Sequence, residues 1–198
     1  MPSAIGPLTS PPPKRVLGGK PDWNIVTTVL ENSFRDAFQV LRRWGSVHRT
    51  GYYNVLVMTV PDPRRLLVEF AAAVAESPGL LNFISHLFPA QRAIDFAKAE
   101  EFEALAREVT LGWLSNLAGK RFHVRMHRRG FKGSLSTPKE ERFLDEALLA
   151  GLIAAGTPGR ISFEAPDAVI QIETIDGRAG LSLWTAEDLR RYSFLGVA

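Results

Sequence analysis

The chain has 198 residues, 45% hydrophobic and 23% charged, which suits one large or two small folded domains and excludes a disordered, collagenous or coiled-coil chain. With no cysteine it has no disulfide framework, thiolate zinc site, iron–sulfur cluster or cysteine nucleophile, and a cytoplasmic location is the expectation. Its net charge of +3 is unevenly spread: residues 118–142 hold eight Lys and Arg against two Glu, whereas residues 99–117 and 143–198 are net acidic. Concentrated positive charge of this kind is the footprint of a site for a polyanion, against the plainer reading of a solvated basic loop.

Residues 1–20 contain Pro11, Pro12 and Pro13, Lys14-Arg15 and Gly18-Gly19 but no apolar core of signal-peptide length, and read as a flexible tail. Residues 147–156, the longest weakly polar run, are too short to span a bilayer, so no membrane association is expected. After Pro21, residues 23–30 are rich in β-branched side chains and predict a strand. Residues 31–44 space Phe34, Phe38 and Leu41 at helical intervals before Gly45. Residues 52–60 form a second, apolar strand. Pro61-Asp62-Pro63 opens a helix through Leu66, Leu67, Phe70 and Val74, and residues 81–88 return to an extended pattern ending at Pro89. This β-α-β-α-β order predicts a small ferredoxin-like α/β sandwich over residues 21–94.

A second unit is expected over residues 95–198. Phe102, Leu105, Val109 and Trp113 make a helical stripe that Leu117 extends to Gly119. Residues 121–127 then alternate, with Phe122, Val124 and Met126 on one side and Arg121, His123, Arg125 and His127 on the other. A strand sends successive side chains to opposite faces, so the pattern predicts an apolar face backed by a cationic one. The basic loop Arg128-Arg129-Gly130-Phe131-Lys132-Gly133 follows. Thr137-Pro138 with Glu140 predicts a helix start with Thr137 at the cap. Beyond that helix, residues 168–175 predict a strand, Asp176-Gly177 a hairpin turn, and Thr185 with Asp188 the cap of a last short helix.

The cationic strand and its loop carry the strongest chemical signal. Arginine forks grip phosphate, flanking glycines let backbone amides approach, and Phe131 would stack on a base unless it packs inward. Arg121, His123, Arg125, His127, Arg128, Arg129 and Lys132 are therefore the candidate RNA-binding residues. His123 and His127 stand four apart, but on a strand that is roughly 13 Å, so they cannot share one metal. Either imidazole on its own is a candidate acid–base group for RNA cleavage. His48 and His86 lack a supporting carboxylate motif and read as structural, and Asp167 reads as a turn residue. No G-x-S-x-G, G-x-x-x-x-G-K-[ST] or G-x-G-x-x-G occurs, so no catalytic residue, metal or cofactor is expected.

The run 121–130, the helix after Thr137-Pro138, the segment Ala165-Pro166-Asp167-Ala168-Val169-Ile170 and the ending from Asp188 to Leu195 together resemble a THUMP domain over residues 95–198. The upstream unit resembles the N-terminal ferredoxin-like domain that accompanies it, and residues 83–89 resemble the junction. The resemblance implies an α+β fold of two units and binding of tRNA, typically at its 3′ CCA end, for delivery to a modifying module. The chain shows no PP-loop, methyltransferase-type glycine motif or deaminase zinc ligands and ends after the THUMP-like segment. It therefore implies a non-catalytic tRNA-binding adaptor for a separate tRNA-modifying enzyme, and not an enzyme itself. The alternative is a small RNA-processing or RNA-modifying enzyme that uses His123 or His127.

Overall fold

The computed structural model describes residues 22–196; the expected tail, residues 1–20, lies outside them. The first sheet is built from β1 (Ile25–Val29), β2 (Ser46–Arg49), β3 (Val55–Thr59) and β4 (Ile84–Pro89), paired antiparallel in the order β2-β3-β1-β4. Helices α1 (Phe34–Leu41) and α2 (Pro63–Glu76) complete a β-α-β-β-α-β sandwich, one strand more than the β-α-β-α-β order expected. The sequence reading missed β2, a four-residue edge strand that is mostly exposed and carries no apolar pattern. Helix α1 begins later than the residues 31–44 expected, because Asn32 turns the chain through a left-handed φ of 63°. Residues 81–88 likewise divide: a 3-10 turn, Pro78–Asn82, precedes β4.

Apolar burial on both faces explains the unbroken hydrophobic run of β3. Ile25, Leu56, Met58 and Leu87 pack under α1 and α2 with Leu41, Leu66 and Phe70. Val26, Val55, Val57 and Phe88, on the opposite face, meet Trp23, Ala90 and Ile175. Asp62 starts α2 as expected of its flanking prolines: its carboxylate accepts from the Arg64 and Arg65 amides at 2.9 and 3.0 Å.

The second sheet follows the order β5-β9-β8-β6-β7. Its strands are β5 (Arg92–Asp95), β6 (Arg121–His127), β7 (Arg160–Ile161), β8 (Ala168–Ile175) and β9 (Arg178–Thr185). Strand β6 runs parallel to β7 and β8, while β8 and β9 form the hairpin expected at Asp176-Gly177, with Asp176 at φ 52°. The expected boundary at 94/95 falls inside β5, which pairs with β9. Helices α3 (Ala99–Leu111), α4 (Leu114–Leu117) and α5 (Thr137–Ala154) cover one face, with Phe102, Phe122, Val124, Leu144, Leu148 and Ile170 in its core. Ser136, not Thr137, is the N-cap of α5, and the Glu140 carboxylate is buried beside Lys139, 3.9 Å from its ammonium. The chain closes with α6 (Ala186–Arg191), whose Thr185–Asp188 capping box is the one expected. None of the helices among the described residues is long and apolar enough to cross a membrane.

The other face of the second sheet turns toward the first. Gly180 sits where a Cβ would come within 3.0 Å of Ala90, Phe88 and Trp23, so only glycine permits this approach. Trp184, Tyr192, Phe194 and Leu195 reach into the core of the first sheet, and the Phe194 ring meets Phe70 edge-on at 4.8 Å.

Because β7 has only two residues, most of the outer edge of β6 lacks a strand partner. Helix α5 supplies one: Asp145 accepts from the Val124 amide at 2.9 Å and Glu141 from the Met126 amide at 2.7 Å. Burial pushes the Asp145 carboxyl up to about 7, against the hydrogen bond from Val124, and the Glu141 charge adds to the rise. The folded chain thus holds this proton more tightly than the unfolded one. The contribution of Asp145 to stability is greatest below its unfolded pKa, near 4, and is lost as pH rises toward 7. Asp145→Asn, which keeps the acceptor, is expected to remove that decline and to be more stable than wild type at pH 8. Asp145→Ala abandons the Val124 amide and should cost about 1–3 kcal/mol. Urea denaturation of the three proteins at pH 5 and pH 8 measures both effects.

Candidate nucleic-acid interface

The end of β6 and the loop after it lie where the two sheets meet. In the parallel register His127 stands beside Glu173 of β8, so both side chains point to the face that the first sheet covers. Glu173 is completely buried. Its Oε1 accepts hydrogen bonds from His127 Nδ1 at 2.7 Å and from His86 Nε2, on β4, at 3.0 Å. Its Oε2 accepts from Arg129 Nη1, and Arg129 Nη2 reaches Thr28 of β1 at 3.3 Å. Burial by itself would raise the Glu173 pKa. The hydrogen bonds from His127 and His86, with the charges of His86 and Arg129, outweigh it and bring the pKa down to about 2. Glu173 is therefore an ionised carboxylate joining two sheets.

A groove of about 510 Å³ opens beside this cluster, lined by Thr28, Ser85, His86, His127, Arg128 and Thr137 among others. Arg128 folds back so that its Nη1 donates to the Gly130 carbonyl, while its buried Nε has no partner among the described residues. Gly130 takes φ 94° at a point where a Cβ would lie 2.8 Å from the Asp176 Cα, which fixes the close turn of the loop.

The seven expected RNA-binding residues do not form one exposed cationic face, and that expectation is corrected. Arg121 is engaged with Asp167 through Nε at 3.1 Å and Nη2 at 2.8 Å, and its guanidinium holds the Asp167 carboxyl well below the usual range. His123 is buried, with Nδ1 2.9 Å from the Ser162 carbonyl and its ring 5.0 Å from that of Phe163. The Arg129 side chain is only 19% exposed and is spent on Glu173. His127 and Arg128 line the groove, and Arg125 and Lys132 are exposed. Phe131 packs inward against Phe96 at 4.9 Å instead of standing ready for a base. Alternation correctly separated the two sides of β6. It could not show that the polar side meets a second sheet.

Sequence reasoning also passed over Glu173, Thr28 and Ser85, and it read His86 as structural. The one available signal was Gln171-x-Glu173 inside an otherwise apolar strand, since polar side chains in a strand buried on both faces need partners. His86 Nε2, His127 Nδ1 and a Glu173 oxygen lie within 4.8 Å of one another, a donor set of the kind that holds a divalent cation. Arg129 on the same carboxylate already supplies the opposing positive charge.

No family profile and no curated protein matches the chain. Solved structures do. PH1313 from Pyrococcus horikoshii, a THUMP-domain protein, superposes with a TM-score of 0.52 at 12% identity, over 81% of this chain and 54% of its own. TrmN from Thermus thermophilus gives 0.52 at 19% identity, over 81% and 44%. A 4-thiouridine synthetase in complex with RNA and ATP gives 0.48 at 10%, over 81% and 41%. The chain spans about half the length of these proteins or less, and what they share with it is a THUMP-like fold. The expectation of a protein with no catalytic role is overturned here, because methyltransferases are among the solved structures that share this fold.

Glu173→Ala would leave Arg129 and two imidazole donors without their acceptor inside the seam, and breaking a buried pair of this kind costs about 3–5 kcal/mol. Arg121→Ala, at a partly exposed pair, should cost about 1 kcal/mol or less. Denaturant titration of the two variants is expected to show that ranking.

Proposed function

We propose that the chain binds the single-stranded 3′ end of tRNA in the groove between its two sheets and thereby serves tRNA base modification. The observation that carries this reading is the groove itself. It joins the guanidinium of Arg128, the imidazole of His127 and the hydroxyls of Thr28, Ser85 and Thr137, next to the positive end of the α5 dipole. Lys132, exposed on the loop that follows Arg128 and Arg129, adds charge to this end of the molecule. Strands and loops of both sheets line the groove, so a single strand laid along it would meet donors from both, and the THUMP-like fold shared with TrmN supports RNA as the occupant. The sandwich of residues 21–94 and the segment 95–198 act in this reading as two walls of one site.

A second reading is favoured by one observation. His127 alone of the two histidines first considered has a carboxylate on one ring nitrogen and a groove on its other side. A buried carboxylate that accepts from Nδ1 fixes the ring's orientation and leaves the remaining nitrogen, Nε2, as the one that can carry a proton. His123 has no such arrangement, so a proton-transfer role in an RNA-modifying or RNA-processing reaction belongs to His127.

Contacts made chiefly to phosphates release counterions, so the affinity for tRNA should fall with salt along a log–log slope of about −3 to −5. Arg128→Ala should weaken different tRNAs alike and flatten the slope by about one unit. A salt-independent affinity would point to an apolar interface and sink the proposal. Incubation with tRNA tests the second reading: any turnover should vanish in His127→Gln and survive in His123→Gln.

A further inference from the structure

The first unit carries a cationic surface that lies apart from the groove. Segment 31–49 holds four arginines, Arg35, Arg42, Arg43 and Arg49, against Glu31 and Asp36. All four are exposed, and none makes an ion pair among the described residues. Arg35, Gln39 and Arg42 follow one another at i, i+4 and i+7, so they form one stripe on the outer face of α1, and Arg35 and Arg42 stand about 10 Å apart along it. Arg49, at the end of β2, lays its guanidinium over the rings of Phe34 and Phe38 at 5.1 and 5.9 Å, which holds it at the rim of the same helix.

An unspent aromatic stands beside these charges. Tyr53 is 79% exposed, and its hydroxyl lies 3.4 Å from Glu31, just before the start of α1. The turn that bears it also touches the groove's rim. The hydroxyl of the preceding Tyr52 donates to Asp176 Oδ1 at 2.5 Å and packs against Gly130, two residues from Arg128. The 50–54 turn thus stands between the loop that borders the groove and the start of α1.

We propose that Arg35, Arg42, Arg43 and Arg49 with Tyr53 form a second RNA-contact surface, which holds the phosphate backbone of the RNA outside the groove while Tyr53 stacks on a base. Exposed guanidinium groups without ion pairs suit a phosphodiester chain, and a ring left in water beside them is the sequence-tolerant element of such surfaces. The inference rests on the RNA-binding reading above and extends it to the body of the molecule.

The test uses the full chain and two ligands, intact tRNA and a short single-stranded oligonucleotide with the same 3′ sequence. Arg35→Ala, Arg42→Ala and Arg43→Ala combined should weaken intact tRNA about tenfold at 0.15 M salt and flatten its salt slope by about two to three units. The oligonucleotide should bind as it does to wild type. Tyr53→Ala should weaken intact tRNA by about five- to tenfold, also without effect on the oligonucleotide. Thermal melting checks that these surface changes leave the fold intact. Wild-type affinity and slope of the triple variant for intact tRNA would overturn the proposal, as would equal losses on both ligands. Arg128→Ala separates the two readings. If it is silent on both ligands while the triple variant loses intact tRNA, the groove assignment fails and the second surface stands.

Discussion

A single buried carboxylate, Glu173, holds the two halves of this fold in register. It belongs to the second sheet, yet one of its oxygens is shared by His127 of the neighbouring strand and His86 of the first sheet, while the other carries Arg129. An ionised group at complete burial is tolerable only when its lone pairs are satisfied and its charge is matched, and these three side chains meet both conditions. Removing any of them leaves a polar group stranded between two sheets. The relative placement of the sheets, and hence the groove at their seam, follows from that requirement.

Packing reinforces the same geometry. Gly180 lets the β8–β9 hairpin approach Ala90, Phe88 and Trp23, and the last described turn of the chain returns Phe194 and Leu195 to the core beneath β4. Each sheet is consequently buried on both faces, which for the eight residues of β8 means that every side chain is buried. The polar ones among them have assigned partners: Gln171 accepts from the Trp184 indole at 2.9 Å, and Glu173 serves the cluster. Short edges are finished by side chains instead of strands, with Asp145 and Glu141 of α5 closing the open side of β6.

This arrangement changes the meaning of the positive charge in residues 118–142. Arg121 and Arg129 are structural, neutralised by Asp167 and Glu173, two carboxylates contributed by the net-acidic segment that follows in sequence. What stays accessible is smaller and better placed: Arg128 and His127 at a groove, Lys132 on the loop that follows, and a separate group of exposed arginines on and after α1. Electrostatic footprints read along a chain count charges. Only spatial pairing separates charges that hold the fold from charges that meet a ligand.

The sequence by itself determined the local elements. The helical stripes, the apolar run of β3, the alternation of β6, the Asp176-Gly177 hairpin and the Thr185–Asp188 cap are all written in neighbouring residues, because helix and strand periods and turn dihedrals are set within a few positions. The resemblance to a THUMP domain added the correct fold class. Tertiary structure decided the rest. The strands Ser46–Arg49, Arg92–Asp95 and Arg160–Ile161 carry no periodic signal, since they are extended only because a distant partner offers hydrogen bonds. Which side of β6 meets water was equally beyond reach, because alternation divides a strand into two faces without saying what each one touches. The pairing of His86 with Glu173, 87 residues apart, exists solely because two sheets pack face to face, and contact between groups so remote along the chain leaves no trace in the spacing of either.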